Sequence, residues 1–127
     1  MKKYISAVLL VLLSTATFAA AQMTASVYAD IPFQFFVGNK AFQAGSYQFT
    51  ANSNLDEMTV ASTKGKDTIL APVITRLSPR SESEAAVVFD VAGGNHYLAE
   101  IYMPGIDGFQ VHGATVKHTH VSVKGHK

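Results

Sequence analysis

The chain has 127 residues, of which 48% are apolar or aromatic, and a formal charge of +1. This length supports one domain, and the near-neutral charge gives no electrostatic basis for nucleic-acid binding. The chain contains no cysteine, which excludes disulfides, thiolate metal sites, thiol catalysis and a lipoprotein anchor.

The first 21 residues predict a cleaved signal peptide. A basic start with Lys2 and Lys3 precedes an apolar run over residues 5–13, and three alanines at 19–21 fit the small-residue rule for cleavage. The apolar run is shorter than the ~20 residues that span a bilayer, so we expect no membrane span after cleavage. Cleavage leaves eight basic and nine acidic residues, a formal charge of −1. We therefore expect an exported protein, periplasmic or extracellular.

The remaining residues, 22–127, predict a single domain made of β-strands. Period-2 alternation of apolar and polar side chains indicates half-buried strands, at residues 26–31, 46–51, 58–62, 85–92 and 96–103. Apolar or β-branched runs add residues 33–37, 68–77 (interrupted by Pro72), 109–111 and 115–123. Turn residues separate them, with Gly93-Gly94-Asn95 the strongest hairpin signal, and residues 78–84 predict a polar loop. The fold class is therefore all-β, a small antiparallel β-sandwich or barrel of about eight strands with a short His/Lys-rich C-terminal tail.

Two blocks of the sequence carry a family resemblance. The block from Pro32 to Tyr47 follows the pattern PFxFxVGNxxxxAGxY, and the later block from Tyr97 to Gly105 is FLxEIxxPG-like. Together they resemble a family of small exported bacterial proteins of unassigned function. The resemblance implies export and an all-β fold and brings no catalytic or ligand residues. In physical terms, Gly38 and Gly45 are expected in turns and the aromatic residues in the core.

The histidines near the C-terminus form the main candidate site. His118 and His120 lie two apart in a predicted strand, so both point to the same face with Cβ atoms roughly 6–7 Å apart. Two such imidazoles can converge on zinc or copper, with a third ligand from His112 or His126, or from His96. Alternatively, the histidines are ordinary polar residues of an exposed face, or they collect positive charge below pH ~6.5 and act as a pH switch.

No catalytic set is expected. The sequence has no GxSxG elbow, HExxH or P-loop motif. The acidic residues are interpreted as solvated surface charges, which include Asp56, Glu57, Asp90, Glu100 and Asp107. Three aromatic residues near predicted turns are expected to be exposed, and they are candidates for lining an apolar ligand groove: Phe42, Tyr102 and Phe109.

The leading hypothesis is an exported, non-enzymatic β domain that binds a protein or envelope partner or has a structural role. The predicted strand over residues 115–123 is long and free of proline, so it is a candidate edge strand for a partner or for self-association. The alternative is a metal-binding module that uses His118 and His120.

Overall fold

A computed structural model describes residues 25–52, 54, 56–80 and 84–127. The predicted signal peptide, residues 1–21, lies outside the described residues, as do residues 81–83 of the predicted polar loop. Within the described ranges all regular secondary structure is β, in eleven strands. Accordingly, these residues contain no helix that is long and apolar enough to cross a membrane.

The strands follow one another in the order in which the sequence predicts them. Their bounds are β1 Ala25–Ile31, β2 Phe35–Val37, β3 Lys40–Phe42, β4 Gly45–Ala51, β5 Glu57–Ser62, β6 Thr68–Pro72, β7 Thr75–Leu77, β8 Ala85–Ala92, β9 Asn95–Tyr102, β10 Gly108–Gln110 and β11 Thr119–Gly125. The count exceeds the predicted eight because the run over residues 68–77 forms two strands, β6 and β7, and because the three-residue strand β3 lies between the predicted runs 33–37 and 46–51.

The strands form two sheets that pack face to face as a sandwich. One sheet has four strands in the order β1-β4-β5-β6, and the other has seven, with the path β11-β8-β9-β10-β7 and the β2-β3 hairpin joined through β9. The chain crosses between the sheets after Pro72, because β6 belongs to the first sheet and β7 to the second. The all-β sandwich prediction is therefore confirmed.

The core lies between the sheets and follows the predicted alternation. Val27, Phe49 and Val60 are neighbours across the first sheet, and Val87 and Ile101 are neighbours across the second. All five side chains are fully buried. Burial of each is worth about 1.5–3 kcal/mol relative to an exposed side chain.

Aromatic residues of the first sequence block occupy one end of this core. The Phe35 ring lies 5.0 Å from Tyr47, 5.3 Å from Phe89 and 5.4 Å from Phe42, measured between centroids. The Tyr47 hydroxyl donates a 2.6 Å hydrogen bond to the carbonyl of Gln43. Burial raises the pKa of Tyr47, and the negative charge of Asp67 adds to the rise. The block therefore has a clear structural role in the core.

Several local expectations were wrong. Phe42, Tyr102 and Phe109 are buried, which removes the basis for an aromatic ligand groove. Gly38 adopts a positive φ of 59° in its turn, whereas Gly45 is the first residue of β4, paired with Ile31, and is not among the positive-φ glycines.

The predicted final strand also begins later than expected, at Thr119 instead of residue 115. Thr119 pairs with Val91, and β8 ends one residue later at Ala92. Residues before position 118 would extend past the end of their partner strand, so no ladder forms there.

Three glycines position β11 and its neighbours. Gly93 and Gly94 have φ of 58° and 79°, the left-handed conformations of a tight two-residue hairpin loop between β8 and β9. A Cβ on Gly125 would lie 2.5 Å from Cγ1 of Val27, so only glycine lets the end of β11 approach β1 this closely. The next residue, His126, forms a two-hydrogen-bond bridge with Tyr28.

Truncation of Phe35 should destabilise the fold much more than truncation of its neighbour Phe36. Phe35→Ala removes a fully buried ring, and we expect a loss of about 3–5 kcal/mol in the free energy of unfolding. Phe36→Ala is the matched control, because Phe36 is only half-buried and stacks on Tyr97. Urea denaturation of both variants measures the difference, and equal losses would contradict the assignment of Phe35 to the core.

Candidate metal centre

The site is built around Asp90, which the sequence predicted to be a solvated surface charge. That prediction was wrong. Asp90 is 2% exposed and is the one buried polar or charged residue among those the structure describes. It lies on the face of β8 that points away from Val87 and Phe89 and therefore away from the main core. The C-terminal segment, residues 111–120, brings histidines to this outer face and covers the carboxylate.

Strand register sets the row in which Asp90 lies. Its partner on β11 is His120, and its partner on β9 is Tyr97. Tyr97 in turn pairs with Phe36 of β2. Side chains of directly opposed residues lie on the same face of a sheet, so His120, Asp90 and Tyr97 form a continuous row across three strands.

His120 makes the closest approach to the carboxylate. Its Nδ1 lies 2.9 Å from Oδ1 of Asp90. This contact does not have the geometry of a hydrogen bond, and no other described residue donates a hydrogen bond to Oδ1. A buried carboxylate oxygen without a donor costs about 1–3 kcal/mol or more. The arrangement is therefore unfavourable unless another group contacts Oδ1.

His118 is the second imidazole at this oxygen. Its Nε2 lies 3.9 Å from Oδ1 of Asp90, and its ring centroid is 4.9 Å from that of His120. His118 precedes β11, which corrects the expectation that both histidines lie in the strand. Nδ1 of His118 lies 2.8 Å from the carbonyl oxygen of Val116. Because a carbonyl only accepts hydrogen bonds, this contact requires a proton on Nδ1, and in the neutral imidazole Nε2 is then the nitrogen free to act as a ligand.

His112 borders the other side of the carboxylate. Its Nε2 lies 4.0 Å from Oδ2 of Asp90, and its ring stacks on Tyr97 at 5.4 Å. The backbone of His112 is held by Ala99, whose carbonyl accepts hydrogen bonds from the amides of Val111 and His112. Ala99 is the extra residue of an irregularity in the β8–β9 pairing. Such bulges commonly redirect neighbouring chain segments.

The other histidines lie elsewhere. His126, which was considered as a third ligand, stacks on Tyr28 at 5.9 Å next to the β1 bridge. His96 stacks on Phe33 at 3.9 Å. Of the candidate ligands, the structure therefore brings together His118 and His120, with His112 beside them, and it adds Asp90.

The grouped side chains have the composition of a transition-metal site. Asp90, His118 and His120 each offer one ligand atom, and these three atoms lie within 4.8 Å of one another. Ligands about 2.0–2.1 Å from a tetrahedral ion are separated by roughly 3.3 Å. The separations of 2.9 and 3.9 Å from Oδ1 lie on either side of this value. Two imidazoles and a carboxylate suit divalent zinc or copper.

Asp90 could have been recognised from one signal in the sequence. It is the single charged residue in the strand Ala85–Ala92, whose other seven residues are all alanine, valine or phenylalanine. A charge in such a run is unusual and marks a position with a specific partner. The identity of the partner could not be read locally, because it depends on the register of β11 against β8.

Fold and site together define an all-β sandwich with a candidate His/Asp metal centre on the outer face of one sheet. Comparisons with protein-family models, curated proteins and solved structures gave no significant match to this chain. The resemblance to a family of exported proteins stays a prediction, and the function is inferred from the geometry of the chain's own residues.

Replacement of Asp90 by asparagine should stabilise the metal-free protein. Asp90→Asn keeps the shape of the side chain and removes a buried charge, so we expect a gain of about 1–2 kcal/mol in the free energy of unfolding. The test is urea denaturation at about pH 8 with a chelator present. This pH is chosen because it favours the deprotonated form of the ligand side chains.

The control for the loss of charge is Asp56→Asn, because Asp56 is exposed. A loss of about 3–5 kcal/mol in Asp90→Asn would mean that the carboxylate is a structural partner of charged histidines, and would contradict the interpretation as a ligand.

Proposed function

We propose that the protein is an exported, non-enzymatic β domain that binds one divalent transition-metal ion, zinc or copper, through Asp90, His118 and His120. The observation that carries the proposal is the buried Oδ1 of Asp90, which has no hydrogen-bond donor among the described residues and has two imidazole nitrogens within 4 Å. Export is supported by the pattern of residues 1–21.

A metal ion would resolve the unfavourable burial of this carboxylate. A cation in contact with Oδ1 supplies the positive charge that the site otherwise lacks, which is the usual condition for burying an ionised group. The same ion would accept the lone pair of His118 Nε2, whose tautomer is already fixed by the carbonyl of Val116. A hydrogen bond to the second ring nitrogen is typical of metal-binding histidines.

The ligand atoms come from two different parts of the chain. Asp90 lies in β8, and His118 and His120 lie 28 and 30 positions later, His118 directly before β11 and His120 near its start. Because β11 is an end strand of its sheet, a metal ion that joins it to β8 would hold the C-terminal strand in place. Ligands at such separated positions are expected in a site that forms only after folding.

This proposal reverses the order of the two functions that the sequence suggested. Partner binding or self-association through an edge strand stays a prediction, and β11 occupies the edge position expected of it over residues 119–125. The described residues offer no more specific observation in favour of a protein partner, whereas the unpaired carboxylate specifically favours a cation.

Calorimetric titration of the purified protein with zinc and with copper tests the proposal. At about pH 7.5 we expect saturable one-to-one binding of micromolar or tighter affinity. The double variant His118→Ala/His120→Ala and the single variant Asp90→Asn should each lose at least ~100-fold in affinity, because ligands contribute at least as much as their second-shell partners.

His126→Ala is the matched control, since it removes a histidine of the same C-terminal region that lies at the β1 bridge and outside the cluster. Binding should be unchanged in this variant. Weak binding that survives in every variant would identify adventitious association and would refute the proposed function.

Metal should also raise the thermal stability of the wild-type protein. A ligand that binds only the folded state, at a free concentration 100 times its Kd, adds about 2.7 kcal/mol to the free energy of unfolding. Differential scanning calorimetry with and without zinc should therefore show a higher Tm with zinc for the wild type and no shift for Asp90→Asn. An equal shift in both proteins would place the bound metal elsewhere.

A further inference from the structure

The three donor atoms leave the proposed centre incomplete. Zinc and related ions take four ligands in tetrahedral sites, and a site with three protein ligands keeps a position for water or substrate. Asp90, His118 and His120 supply three atoms within 4.8 Å of one another, and the described residues add no fourth member to this group.

The donors also lie on one side of the site. The Asp90 side chain is 3% exposed and forms the floor, whereas the side chains of His118 and His120 are 26% and 57% exposed and form a rim. An ion held between them would have protein on the side of the sheet and solvent on the outside. A coordination position that the protein leaves open would therefore face solvent.

His112 is the nearest candidate for a fourth ligand, but it approaches a different carboxylate oxygen from the other two histidines. Its Nε2 is beside Oδ2 of Asp90, at 4.0 Å, whereas both other histidines approach Oδ1. The ring of His112 is held against Tyr97, and its backbone is anchored to Ala99. These contacts direct it to the far side of the carboxylate.

The charge of the loaded site selects the kind of ligand that would fill the open position. A divalent ion with one carboxylate and two neutral imidazoles has a net charge of +1. No acidic residue follows Asp107 in the chain, and Lys117 directly precedes His118. The segment that carries the rim is therefore free of carboxylates that would compete for the metal or repel an anion.

We propose that the metal ion at this centre keeps one solvent-facing coordination position, and that this position binds small monoanions in exchange for water. The inference depends on the proposed function and adds a ligand class to it. The protein would then present its metal as an accessible anion-binding centre, and would not hold it as a closed structural ion.

Cobalt(II) substitution with azide as the probe tests the inference. Divalent cobalt is bound by the same kinds of ligand as zinc, and its visible absorption reports the coordination sphere. The wild-type protein is first titrated with cobalt alone, which tests the metal site without the anion. Azide is then added to the cobalt-loaded protein. We expect a saturable change in the visible spectrum, and no change with an equal concentration of perchlorate, a weakly coordinating anion.

The outcomes separate the two proposals. If cobalt does not bind, or if it binds equally well to Asp90→Asn, the metal site itself is refuted and the anion site with it. If cobalt binds in one equivalent and azide has no effect, the metal site stands and the open position is refuted. The variant His112→Ala then identifies the cause, because an azide response that appears only in this variant would show that His112 is the fourth ligand.

Discussion

Pairing of β11 with β8 is the constraint on which both the core and the candidate site depend. Seven register pairs join the two strands, from Thr119 with Val91 to Gly125 with Ala85. On the inner face this pairing places Val121 and Val123 directly opposite Phe89 and Val87. On the outer face it places His120 directly opposite Asp90. One set of backbone hydrogen bonds therefore completes the sandwich and brings His120 to Asp90 in the candidate site.

The burial of Asp90 illustrates a conflict between stability and function. A carboxylate that is almost inaccessible to solvent, and whose Oδ1 receives no hydrogen bond from the residues that the structure describes, is expected to lower the stability of the metal-free protein. An apolar or amide side chain would suit the same position better in a purely structural domain. Unfavourable groups of this kind are typical of functional sites, where a ligand supplies the missing interaction. The opposite effects expected for Asp90→Asn without and with metal follow from this conflict.

Local patterns predicted most of the architecture. The strand Ala85–Ala92 and the glycine hairpin after it were predicted correctly, because alternation and left-handed glycines are decided by neighbouring residues. Local reasoning failed where a distant partner decides the outcome. Phe42 and Phe109 lie near turns and are nevertheless fully buried, since both belong to a hydrophobic core formed by residues of both sheets. Likewise, residues 115–117 were predicted to be in the strand but would extend past the end of β8, so no partner strand is available to them.

The same division holds for the site. The sequence by itself determined the all-β class, the absence of thiolate ligands and the choice of His118 and His120, because composition and two-residue spacing are local properties. Only the tertiary structure decided that Asp90 joins them, that His112 borders the carboxylate and that His126 lies elsewhere. The physical reason is that strand register and sheet packing bring together residues about 30 positions apart, and no short-range pattern in the chain encodes that register.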